Sequence, residues 1–117
     1  MKQKSSFYYR YLSWTQKREL VSFIEQPLDN LPKGSAAYNE AYKFNSYIKM
    51  SKVKVKKNKI KVKIRIPETP GGQSRLNAIW NQVVDKISRL NNRDFALSSN
   101  KAGDPYFYIV EGTRIEH

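Results

Sequence analysis

Lys52-Val53-Lys54-Val55-Lys56-Lys57-Asn58-Lys59-Ile60-Lys61-Val62-Lys63-Ile64-Arg65-Ile66 is an alternation of basic and aliphatic residues broken once, between Lys56 and Lys59. A period of two predicts two strands, each with one face buried and one wet. Every apolar position is Val or Ile, the residue types that fit a pleated, half-buried surface. Asn58 sits in the break and tolerates the left-handed conformation that tight hairpin turns use. With Lys57-Asn58 as the loop, Val55 faces Ile60, Val53 faces Val62 and Ser51 faces Ile64, so the apolar residues share one side. On the other side Lys54 lies opposite Lys61 and Lys52 opposite Lys63. Residues 49–66 are thus expected to form a basic β-hairpin.

This hairpin also holds most of the charge. The 117 residues carry 22 Lys and Arg against 10 Asp and Glu, a formal net charge of +12. From Lys49 to Arg65 there are nine basic residues and no acid, which leaves 13 basic and 10 acidic residues elsewhere. The excess is therefore local. Like charges directly across a strand pair cost some tenths of a kcal/mol each, so a ladder of them does not stabilise a sheet. One explanation is that lysines keep an exposed strand from pairing with another chain. The other is a docking surface for phosphates, where a bound polyanion relieves the repulsion and releases its counterions. On the second reading Lys52, Lys54, Lys56, Lys57, Lys59, Lys61, Lys63 and Arg65 grip a DNA or RNA backbone. Lysine meets phosphate as a point charge, without the planar fork with which Arg reads guanine, so backbone contact is expected over base readout.

Outward from the hairpin, Phe7, Tyr8, Tyr9, Tyr11 and Leu12 suggest a short aromatic strand. Ser13 and Gln16 have the spacing of a capping box, and Trp14, Leu20, Val21 and Ile24 recur at helical spacing, predicting a helix from Trp14 to Glu25. Ala36, Ala37, Glu40 and Ala41 favour a helical turn or two. Tyr42, Phe44, Ile48 and Met50 on even positions then suggest a strand, with a bulge near Ser51-Lys52 to restore the phase. After the break Pro67-Glu68-Thr69-Pro70-Gly71-Gly72, a stripe of Leu76, Ile79, Trp80, Val83, Ile87 and Leu90 predicts a second helix, ending at Asn91-Asn92. Phe95–Leu97 and Tyr106–Val110 read as a terminal hairpin, and residues 111–117 as a flexible tail.

The expected fold is a single α+β domain over residues 1–117. It has an antiparallel sheet of four or five strands under two helices, with ferredoxin-like β-α-β-β-α-β as one such order. Without the first strand the order becomes α-β-β-α-β-β.

Several chemistries are excluded. The chain has no Cys and one His, His117, so thiolate metal sites, disulfides and a Ser-His-Asp triad are ruled out. The ten acids are scattered with no metal-ligand spacing, and no cofactor or metal site is predicted. Gly71-Gly72 lacks the Gly-Lys-Ser/Thr sequel of a phosphate-binding loop. No stretch approaches the roughly 18 apolar residues of a membrane helix. The basic start Met1-Lys2-Gln3-Lys4 leads into Tyr and Arg instead of an apolar signal core, so a cytoplasmic protein is expected. Lys outnumbers Arg 15 to 7 and nine residues are Asn, the bias of AT-rich genomes, phages and mobile elements among them. Three functions remain: a nucleic-acid-binding accessory protein, a protein effector that fills the nucleic-acid groove of a host enzyme, and a metal-independent ribonuclease toxin using Tyr106, Tyr108, Arg114, His117 and Arg75. The tyrosines on the predicted strands would either stack nucleobases or fill the core.

Overall fold

The alternating stretch forms the expected hairpin. In the computed structural model, which describes residues 6–100 and 104–116, β1 (Lys52–Val55) and β2 (Lys59–Arg65) pair antiparallel. Val55 is opposite Ile60, Val53 opposite Val62, Lys54 opposite Lys61 and Lys52 opposite Lys63. The loop is Lys57-Asn58, closed by the Lys56 amide donating to the Lys59 carbonyl at 2.8 Å. Neither loop residue has a positive φ, so the turn does not use the left-handed tolerance of Asn58. The hydroxyl of Ser51, itself buried, accepts the Arg65 amide at 2.9 Å and ties the start of β1 to the end of β2.

Around the hairpin the chain runs α1 (Ser6–Ile24), α2 (Ala36–Ile48), β1, β2, α3 (Gly72–Leu90), β3 (Phe95–Asn100) and β4 (Phe107–Arg114). The four strands make one antiparallel sheet in the order β1-β2-β4-β3. The protein is α+β. Its order is α-β-β-α-β-β with one additional helix, and the leading strand of a β-α-β-β-α-β arrangement is not formed.

That missing strand is the first turns of α1. Along them Tyr9 and Leu12 are half-buried, followed by buried Gln16, Leu20, Val21 and Ile24, a continuous stripe at helical spacing. The aromatic enrichment misled because Phe7, Tyr8 and Tyr11 lie off that stripe and are exposed, and Trp14, expected on the apolar stripe of the helix, is exposed off it as well. Ser13 does not cap the helix. It lies inside it and donates to the Tyr9 carbonyl at 2.8 Å. The strand expected from Tyr42 is likewise helical: Ala41, Phe44, Asn45 and Ile48 are buried at i, i+3, i+4 and i+7, with Tyr42 and Met50 outside. Phe44 and Ile48 satisfy both periods, and helix length decides between them. Ser35 caps α2, its hydroxyl accepting the Tyr38 amide at 3.2 Å, and no bulge at Ser51-Lys52 is needed.

The second predicted helix is α3, which begins at Gly72, directly after Gly71 at φ +75°. It leaves through Asn92 and Arg93, both left-handed, and Arg93 donates back to the Ser88 carbonyl at 2.8 Å. The expected flexible tail is in fact strand as far as Arg114. Thr113 is opposite Lys59 and Ala96, and Arg114 is opposite Phe95. His117 lies outside the described residues.

All three helices cover one face of the sheet. Leu20 and Ile24 of α1, Phe44 and Ile48 of α2, and Leu76, Trp80, Val83 and Ile87 of α3 meet Val55, Ile60, Val62, Ile64, Tyr108, Val110 and Phe95 in one buried cluster. A buried amide pair links α1 to the end of α3: Gln16 donates to Asn91 at 2.7 Å and Asn91 donates back at 3.0 Å. The first half of α1 instead lies against the outer edge of β1. There the Ser13 hydroxyl accepts the Val55 amide at 2.8 Å, satisfying a donor that an edge strand would otherwise present to another chain. Ser13→Ala leaves that half-buried amide unpaired and is expected to cost about 1–2 kcal/mol, lowering the thermal midpoint by roughly 4–8 °C. Circular dichroism melting would read the shift.

Candidate nucleic-acid interface

Because Val and Ile of the hairpin point into the core, the alternation sends the residues between them to the opposite face. Lys52, Lys54, Lys59 and Lys61 are exposed there and Lys63 is half-buried. Antiparallel pairing sets them in like-charge pairs, Lys52 with Lys63 and Lys54 with Lys61, and Lys56 and Lys59 flank the turn as a third. Lys57 is exposed at the loop. Among the described residues no helix covers this face; the helices pack on the other.

β4 and β3 complete the face with residues of another kind. Arg65 is opposite Phe107, Lys63 opposite Ile109, Lys61 opposite Glu111 and Lys59 opposite Thr113. Beyond them Ser98 is opposite Glu111 and Ala96 opposite Thr113. The lysines thus form a wall, and the small side chains of Ala96, Ser98 and Thr113 floor a hollow of about 380 Å³ beside it, bounded by Lys54, Lys56, Lys59 and Lys61. These partner positions carry no basic charge, and their only sequence signal was the alternation of Phe107 and Ile109 with Tyr108 and Val110.

Internal neutralisation is slight. Glu111 is the only carboxylate among the described strand residues of this face, and it reaches Lys61 at 3.7 Å with both side chains more than half exposed. Such a pair is worth about 0–1 kcal/mol. Lys63 lies over the Phe107 ring at 4.6 Å.

Arg65 stands apart from the lysines. Its side chain is 12% exposed and bridges Glu68 at 3.3 Å. It donates to the Ile66 and Tyr106 carbonyls and lies between 5 and 6 Å from the rings of Tyr47, Tyr106 and Phe107. It pins the end of β2 to the Glu68 loop and to α2, and a ligand on the lysine face would meet little of its charge.

No family model, curated protein or solved structure matches the chain.

The residues expected of a ribonuclease do not converge. Tyr108 is in the core, where its hydroxyl donates to Asn77 at 2.7 Å and accepts from Gln73 at 2.9 Å. Arg114 donates to the Lys57 carbonyl at 2.6 Å and pairs with Asp94 at 3.6 Å. Tyr106 precedes the opposite end of β4, about 25 Å away at strand rise, and Arg75 of α3 lies near the Phe44 ring of α2. Gly72 is buried against Pro67 at the start of α3, whereas Gly71 is exposed at φ +75° with open space around it, so the pair serves as the turn into the helix. Among the described residues no cluster of three or more His, Cys, Asp or Glu could hold a metal ion, and no helix is long and apolar enough to cross a membrane.

Reading the sequence alone missed the flank of the lysine face. Arg10, Trp14 and Lys17 of α1 lie along the outer edge of β1, across a groove from Lys52, Lys54 and Lys63. Their spacing of four and three residues was the available signal, obscured once Phe7–Leu12 was read as a strand.

Proposed function

We propose that this protein is a non-catalytic, cytoplasmic accessory or regulatory factor that binds nucleic acid through the lysine face of its sheet. One observation carries the reading. Lys59, Lys61 and Lys63 are on β2, an interior strand between β1 and β4. Lysines that guard a strand edge belong on an edge, and the β1 edge is already covered by α1 through Ser13. The repulsion along Lys52–Lys63 and Lys54–Lys61 therefore has no structural return within the domain. Phosphates laid along the ladder would turn that cost into a gain and release counterions. Lys52, Lys54, Lys56, Lys57, Lys59, Lys61 and Lys63 make up the grip, and Arg65 anchors the end of β2 beside it. Point charges on flexible stems favour backbone contact and low sequence selectivity.

If about six phosphates are neutralised, log affinity falls with log salt at a slope near −5 on duplex DNA and near −4 on a single strand. Fluorescence anisotropy with labelled oligonucleotides at several salt concentrations measures this. A flat titration would overturn the proposal. Stoichiometric capture of an acidic protein without affinity for free DNA or RNA would replace it with the effector reading, and RNA cleavage by the purified protein with the ribonuclease reading.

A further inference from the structure

Resting on that reading, we propose that the groove between α1 and β1 takes unpaired nucleobases stacked on Trp14, making single-stranded nucleic acid the preferred ligand.

The groove holds about 570 Å³ and is lined by Arg10, Ser13, Trp14, Lys17, Val53 and Val55, with Lys52, Lys54, Lys61 and Lys63 on its sheet side. No carboxylate is among its lining residues. It is a cationic rim around an apolar interior. Phosphate alone has no use for that interior. An uncharged apolar partner has no use for six cations. The ligand that is anionic along its backbone and apolar on its flat faces is a nucleotide chain. In a duplex those faces are stacked on one another, whereas in a single strand they are free to stack on aromatic side chains.

Trp14 suits that role. It is 55% exposed, a large apolar surface left in water at the mouth of a basic groove. Arg18, one turn on, places its guanidinium 4.9 Å from the indole centroid and supports the ring. Tyr11, one turn back and also exposed, lies 6.5 Å away and extends the platform along α1. Lys54 and Lys61 border both this groove and the hollow over β3 and β4, so a strand seated here keeps its phosphates on the lysine ladder. The second tryptophan, Trp80, is buried, which lets emission changes on ligand addition be assigned by substitution at Trp14.

The test compares oligo-dT and oligo-U of about 15 nucleotides with a DNA duplex of equal length, for the wild-type protein, Trp14→Ala and Trp14→Phe. Both single strands are expected to quench the wild-type emission and to bind more tightly than the duplex. Either substitution removes the Trp14 emission and with it the quench; Trp14→Ala should reduce the ratio of single-strand to duplex affinity by about tenfold, and Trp14→Phe, which keeps a stacking ring, by less. An unchanged ratio in Trp14→Ala overturns the groove and leaves phosphate docking standing. Salt-insensitive or absent binding of every oligonucleotide overturns both. A Trp14-dependent quench by poly-glutamate without one by oligonucleotides would assign the groove to an acidic peptide and also reject the proposal.

Discussion

Replacing Lys54, Lys61 and Lys63 together by Gln is expected to weaken nucleic-acid binding by roughly 10²–10³-fold at about 0.1 M salt, because each lost phosphate contact forfeits about a tenfold gain from ion release. The salt slope should become shallower by about two to three, a signature that general damage to the fold would not give. Folding should survive. The substitutions remove the Lys54–Lys61 and Lys52–Lys63 repulsions and sacrifice the exposed Lys61–Glu111 pair and the Lys63–Phe107 contact, terms of similar size and opposite sign. The thermal midpoint should therefore lie within a few degrees of wild type. A variant that melts normally and binds with wild-type affinity would move the site off the sheet face.

Gly112→Val is expected to destabilise the protein by about 3 kcal/mol, a midpoint lower by roughly 12 °C. Gly112 lies in β4 between Ile60 and Leu97 on the buried face. A Cβ there would come within 2.6 Å of a Leu97 methyl and 3.1 Å of Ile60 and of Phe95. Its φ is not positive, so the glycine is required for space alone. Val brings two further methyls into a gap too small for one. In a loose C-terminal segment the same change would be neutral or mildly stabilising through the unfolded chain, so calorimetry on this single variant separates a paired strand from a tail.

The hairpin was legible because its information is local. Alternation of Lys with Val and Ile specifies strand, face and, through a two-residue loop, register, and a one-residue slip would bury every lysine. α3 was legible for the same reason, its stripe being long enough to leave one period standing. The N-terminal segment and residues 42–50 were misread because Tyr8, Tyr11 and Tyr42 are exposed aromatics, and β propensity describes packing that these side chains do not enter. The tail was misread because Gly112 resembles a terminus in sequence and a close contact in space. Of the candidate site, the seven lysines were visible in the chain. The structural role of Arg65 was not, since Glu68, Tyr47 and Tyr106 reach it from different elements.

The amino-acid order alone determined where the charge lies and which side of the hairpin carries it, since both follow from a period of two between neighbours in the chain. Only the tertiary structure decided that β2 is interior, that Ser13 of α1 takes the Val55 amide at the β1 edge and that Trp14 stands beside the lysines. Those facts depend on which distant segments share the apolar face, and burial of that face is set by the whole cluster of helices and strands, with no local pattern to record it.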